Sequence, residues 1–147
     1  MPEPFTADES AKWITWKRAA ETVMAGVGDS IAQAAGISTS DFSVLTRLVE
    51  EGAGSLRQQR LADQLGWERS RLSRHLGRME ARGLIVRRTN GAERQITASE
   101  DGRAVVTQAR LAHADAVRRL LFDQIPPAER DDFWATVSRI AHDDRRR

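Results

Sequence analysis

The thirty residues from Leu56 to Ile85 constrain this chain most, because they read as two short helical patterns with only a tight turn between them. From Leu56 to Gly66, the apolar residues Leu56, Leu61, Ala62 and Leu65 recur near helical spacing, and Gly66 stands where a left-handed residue closes a helix. The segment from Trp67 to Leu84 puts Leu72, Leu76 and Met79 on one side and Ser70, Arg71, Arg74 and Arg78 on the other. One face is apolar and the other basic. Two helices joined by about three or four residues, the second arginine-rich near its start, form the plan that sets a helix into a DNA major groove. A solvated amphipathic helix that is merely rich in arginine has the same spacing.

The next residues separate these readings. Leu84 to Arg88 reads as a strand, Asn90-Gly91 as a hairpin turn needing positive φ, and Arg94 to Thr97 as the returning strand. The predicted class is therefore mainly α with a small β-wing, a winged helix-turn-helix. Charge follows the same segment. Between Arg57 and Arg94, ten arginines stand against Asp63, Glu68, Glu80 and Glu93, a net of +6 in a chain whose total is +2. Such a concentrated cationic field attracts phosphate and makes affinity fall with salt. The chain carries 21 arginines and two lysines, Lys12 and Lys17, a bias that explains the choice of arginine but not its clustering.

Both ends read as helical. From Ala11 to Ala35, Trp13, Trp16, Ala20, Val23, Val27, Ile31 and Ala34 fall at three- and four-residue steps, which predicts a long first helix ended by Gly36. Ser38 to Asp41 reads as a cap with an acidic third position, opening a helix to Gly52. Glu100-Asp101 open another long helix that stops near Pro126-Pro127. A last helix begins with Pro127, carries Phe133, Trp134, Val137 and Ile140, and precedes the tail Arg145-Arg146-Arg147. The predicted organisation is one unit, residues 1–147. Its winged helix-turn-helix head spans 40–102, and a helical dimerisation region spans 8–36 and 103–147. These terminal helices carry more apolar surface than such a head can cover, and a second copy related by a two-fold axis is the economical partner. A two-fold dimer would address half-sites about 10–10.5 base pairs apart.

Other classes find little support. The chain has no cysteine, which excludes disulfides and thiolate sites, and no tyrosine. Gly-x-Ser-x-Gly, His-Glu-x-x-His and phosphate-loop motifs are missing, so nothing points to an enzyme. His75, His113 and His142 are scattered, and no metal or other cofactor is expected. With no run of about eighteen apolar residues and no signal-peptide pattern at Met1 to Phe5, a cytoplasmic protein without a membrane partner is expected. A winged helix can also serve as a protein-interaction module.

These residues resemble the MarR-type transcription regulators. The likeness is carried by Leu61-Ala62-Asp63-Gln64-Leu65, by Arg69-Ser70-Arg71-Leu72-Ser73-Arg74, by Arg78 to Ile85, and by Gly102-Arg103. Two departures stand out: Asn90-Gly91-Ala92-Glu93-Arg94 replaces the family's Asp-x-Arg wing tip, and Ala98-Ser99 replaces its Leu-Thr. The resemblance implies a homodimer joined by the first and last two helices. It also implies a sequence-specific DNA-binding regulator, most simply a repressor released by a small aromatic or phenolic ligand; a regulator insensitive to small molecules is the alternative. Its DNA-contacting residues would be Arg69, Ser70, Arg71, Ser73, Arg74 and Arg78, with Arg94, then Arg88, as the wing arginine. Glu68 stands where the family commonly has a Ser, Thr or Asp cap. A ligand slot would draw on Trp13, Trp16, Phe42, Arg47 and Arg103, although aromatics at helical spacing also serve as core or dimer interface.

Overall fold

The computed structural model describes residues 1–143, so the predicted basic tail Arg145 to Arg147 lies outside the described residues. The order of elements is α1 (Ala7–Ala35), α2 (Thr39–Glu51), β1 (Ser55–Arg57), α3 (Gln58–Leu65), α4 (Arg69–Ala81), β2 (Ile85–Asn90), β3 (Glu93–Ala98), α5 (Glu100–Leu120) and α6 (Arg130–Asp143). Two 3-10 turns, Phe122–Gln124 and Pro127–Glu129, lie between α5 and α6. Pro127 thus opens a 3-10 turn, and α6 itself begins at Arg130. The chain divides into two compact units, one of residues Gly28–His113 and the other of Met1–Val27 with the chain from Ala114 onward.

The first of these, the head, owes its core to side chains that the helical patterns brought to one side. Ile31, Val44, Leu45, Leu48, Leu61, Leu72, Leu76, Met79 and Ile96 are all fully buried. Burying side chains of this size stabilises the fold by about 1.5–3 kcal/mol each. α2 starts as its sequence requires. The Ser38 hydroxyl accepts from the Asp41 N–H at 3.0 Å, and the Asp41 carboxylate accepts from the Ser38 N–H at 3.0 Å, forming a reciprocal capping box. Ser99 does the same service ahead of α5, where its hydroxyl accepts from the Gly102 N–H and donates to the Gly83 carbonyl. The departure from the Leu-Thr pattern therefore keeps a capping hydroxyl.

The sheet differs from the expected two-stranded hairpin. It has three strands in the order β1-β3-β2, all antiparallel. Leu56, expected in the first short helix, lies in β1 opposite Ile96, and both side chains are buried. A three-residue strand is too short to show an alternating pattern, and Arg57 is still extended (φ −66°, ψ 139°), so α3 begins only at Gln58. At the other end of the hairpin Asn90 pairs with Glu93, and the two-residue loop is Gly91-Ala92, one residue later than expected. Gly91 takes φ +64° there, whereas Asn90 stays on the strand. A glycine-first loop matches the right-handed twist of the strands it joins.

In the other unit Val27, Ala116 and Ile125 are the buried apolar side chains among the described residues. Larger ones stay in the open: Trp13, Ile14, Trp16, Met24, Phe122, Trp134 and Ile140 are all exposed. Phe122 and Phe133 each pack edge-on against Trp134, with ring centres 5.4 and 5.0 Å apart.

Candidate nucleic-acid interface

Gly66 ends α3 in the left-handed region (φ 65°, ψ 30°), and its N–H and that of Trp67 return to the carbonyls of Asp63 and Ala62. The chain then enters α4 after Trp67 and an extended Glu68. Glu68 occupies the cap position without a side-chain hydrogen bond, so the first turn of α4 carries no side-chain cap. Leu72, Leu76 and Met79 fix the inner face of α4 in the core, which leaves Arg69, Ser70, Arg71, Arg74 and Arg78 exposed on the outside. Ser73 is half-buried and lends its carbonyl to Arg87.

What separates the arginines of the head is their partners. Arg82 donates to the Asp41 carboxylate at 2.7 Å and to the Gly36 carbonyl at 2.9 Å. Arg87 grips the Glu80 carboxylate with its side chain and its backbone N–H, tying β2 to α4. Arg57 pairs with Glu93 at 3.1 Å, Arg110 with Glu50 at 2.7 Å, and Arg47 with Glu51 at 2.6 Å. By contrast the side chains of Arg60, Arg69, Arg74, Arg88 and Arg94 make no hydrogen bond or ion pair among the described residues, and all five are exposed. These unpaired cations lie on α3, on α4 and on the wing.

Strand register sorts the two wing candidates. Arg94 is opposite Thr89 and shares the sheet face of Ile96 and Ala98, whereas Arg88 is opposite Gln95 on the other face. Arg94 lines an open cleft of about 1050 Å3 beside α3, together with Arg57, Arg60 and Arg69, and Arg88 is not among the residues that line it. The charge run is the only sequence signal for Arg57 and Arg60, because the helical pattern from Leu56 to Gly66 hides β1. Glu93 also lines the cleft, but its carboxylate is held by Arg57.

Behind α4 sits a polar cluster. Asp41 is 2% exposed. Burial pushes its carboxyl upward, but the Ser38 N–H and the Arg82 guanidinium outweigh that and hold it below the ordinary aspartate value. His75 Nε2 lies 2.9 Å from Asp41 Oδ1, off the ring N–H direction, so that the pair is close without an aligned hydrogen bond.

The five residues predicted for a ligand slot are shared between the two units. Trp13 and Trp16 belong to the unit of the chain ends, each about half exposed, with Lys17 over the Trp13 ring. Phe42, Arg47 and Arg103 belong to the head. Phe42 stacks on His113 at 4.9 Å, Arg47 is paired with Glu51, and Arg103 donates to the Ala53 carbonyl while covering Gly54. Both guanidiniums expected to hold an anion are thus engaged within the head. A separate groove of about 630 Å3 lies within the unit of the chain ends, lined by Arg18, Val23, Leu120, Leu121 and Phe133 among others. The sequence offered no signal for it. Among the described residues no cluster of metal ligands occurs, and no helix is long and apolar enough to cross a membrane.

Comparison with known proteins agrees with the geometry. Residues 31–99 match a family model described as a domain of unknown function, DUF7343. No curated protein matches the chain. Among solved structures, a MarR family transcriptional regulator from Streptomyces coelicolor, crystallised in complex with DNA, is 25% identical with a TM-score of 0.82, over 96% of this chain and 91% of that one. AbsC, a MarR family transcriptional regulator from the same organism, is 22% identical with a TM-score of 0.85, over 99% and 100%. CouR from Rhodococcus jostii RHA1, bound to p-coumaroyl-CoA, is 26% identical with a TM-score of 0.68, over 86% and 88%.

Proposed function

We infer that this chain is a MarR-type winged helix-turn-helix transcription regulator that binds double-stranded DNA and answers to a small molecule. The observation that carries the reading is the separation of the arginines by partner: Arg82 and Arg87 are held by Asp41 and Glu80, while Arg69, Arg74, Arg88 and Arg94 are exposed and make no side-chain hydrogen bond or ion pair among the described residues. A helix in the major groove and a wing at the adjacent minor groove leave one sugar-phosphate strand passing between them. The cleft with Arg57, Arg60, Arg69 and Arg94 is where that strand would run. Arg71 and Arg74 then face base edges or phosphates in the major groove, with Ser70 and Ser73 beside them. Arg78 meets phosphate, and Arg94 enters the minor groove, whose negative potential favours an inserted arginine.

Dimerisation falls to the helical region of residues 8–36 and 103–147, which takes in most of the unit of the chain ends and the adjoining parts of α1 and α5, with the DNA-binding part at 40–102. Trp13, Ile14, Trp16, Met24 and Ile140 are exposed large apolar side chains there, and a two-fold copy would cover them. The protein works in the cytoplasm as a regulator and not as an enzyme. The relative bound to p-coumaroyl-CoA supports control by an aromatic acid or its thioester, which would release the repressor from DNA. A gel shift with random and genomic duplexes at moderate salt tests the reading. Retention of distinct genomic fragments is expected; failure to retain any duplex, with capture of a protein partner instead, would favour an interaction module.

A further inference from the structure

One side chain of the head touches both the buried carboxylate and the exposed basic face. Arg71, His75 and Arg78 follow one another at steps of four and three along α4, so they share a stripe of that helix. The His75 ring is largely buried, with 12% of its side chain exposed. Its Nδ1 lies 3.2 Å from Arg78 Nη2. A guanidinium only donates, so Nδ1 is the bare nitrogen and the ring proton sits on Nε2, which lies near Asp41 without an aligned hydrogen bond. The ring also meets Trp67 edge-to-face at 5.5 Å, and the Arg71 guanidinium lies over the same Trp67 ring at 4.1 Å. Arg71 is thus placed by cation–π stacking on an indole that His75 buttresses, and Arg78 by a direct hydrogen bond.

We propose that His75 is the positioning residue of the recognition face: it orients Arg71 toward base edges through Trp67 and holds Arg78, whose phosphate contact fixes the register of the helix, and so sets sequence discrimination without touching DNA. The proposal rests on the DNA-binding reading above. A long arginine side chain loses rotamer freedom when it docks, and fixing it beforehand removes part of that cost for the one orientation that fits the correct site. Random duplex gains less, because a loose cation near phosphate serves it almost as well. His75 therefore acts on the ratio of specific to random affinity, more than on either charge or fold.

The test compares the full-length parent with His75→Leu and His75→Gln, using the genomic duplex recovered by footprinting with the parent and a random duplex of equal length. Leucine fills similar space and loses the hydrogen bond to Arg78, whereas a glutamine amide oxygen can still accept from Arg78. His75→Leu should bind random duplex as the parent does and the recovered site about tenfold more weakly, the scale of one lost base contact. His75→Gln should restore most of that loss. A parent-like ratio in a folded His75→Leu protein overturns the proposal. Should leucine prevent folding, nitrogen NMR of the parent's histidines without DNA still decides: the Nε2–H tautomer at His75 is expected, and Nδ1–H overturns the proposal. Failure of the parent to bind any duplex would instead sink the DNA-binding reading itself, whatever the tautomer.

Discussion

Removing the Asp41 carboxylate should cost the head a measurable and pH-dependent share of its stability. In Asp41→Ala the Ser38 N–H loses its acceptor at 3.0 Å and Arg82 loses its partner at 2.7 Å. A lost cap of this kind costs about 0.5–2 kcal/mol, and a hydrogen bond to a charged group about 1.5–3 kcal/mol when its partner stays buried. The Arg82 side chain is 46% exposed and can return to water, so the lower end of the second range applies. The expected loss is about 2–3 kcal/mol, or roughly 5–10 °C in Tm for a chain of this length, measured at one protein concentration because dimerisation shifts Tm. The folded-state pKa of Asp41 lies below its ordinary value of 3.8. A depressed pKa gives stability that is complete above the unfolded value and disappears as pH falls through the folded one. The difference between parent and variant should therefore be constant near neutral pH and shrink on acidification below 3.8. Urea melts followed by circular dichroism across that range check it. A variant as stable as the parent at pH 7, or a difference that persists unchanged into acid, would refute the reasoning.

Further consequences concern the wing and the chain ends. Arg94→Ala should weaken specific and random DNA by similar factors and flatten the salt slope by about one unit, because it removes one electrostatic contact. An unchanged slope in salt titrations would pass that role to Arg88, since Arg87 is held by Glu80. Glu93→Ala should strengthen binding slightly, by removing a like charge near phosphate and by freeing Arg57, with which Glu93 pairs at 3.1 Å; equal or weaker binding in the same titration counts against the cleft as a phosphate site. Deleting residues 127–147 should give aggregated or unfolded protein, and sedimentation showing a folded monomer with full DNA affinity would contradict the dimer argument.

Much of this architecture was legible because long elements announce themselves. The stripe Leu72, Leu76, Met79 recurs at helical spacing and is fully buried as expected, and Ser38 with Asp41 forms the cap that its spacing predicts. Short elements left no such trace. β1 is three residues, too few for alternation, and Leu56 fits the helical pattern of its neighbours as well as it fits a strand partner in Ile96. The tip of the hairpin shifted by one residue because Asn90-Gly91 satisfies a turn in either frame, and only strand pairing chooses between them. At the candidate site, composition marked the arginines but could not sort them. Arg87 lies next to Arg88 in sequence, yet the pleat sends one toward Glu80 and leaves the other exposed. The partners of Arg82, Arg103 and Arg110 lie 41 to 60 residues away, beyond any local pattern.

The central claim is that the outer face of α4 reads DNA. Fluorescence-anisotropy titration of the parent and Arg74→Ala against the footprinted genomic duplex, at several salt concentrations, tests it most directly. Arg74 is exposed and its side chain makes no hydrogen bond or ion pair among the described residues, so its removal should leave helicity and dimerisation unchanged. The account predicts that log affinity of the parent falls linearly with log salt, and that Arg74→Ala binds this duplex more weakly by about 1–3 kcal/mol. A variant that binds as the parent does at every salt concentration would contradict it.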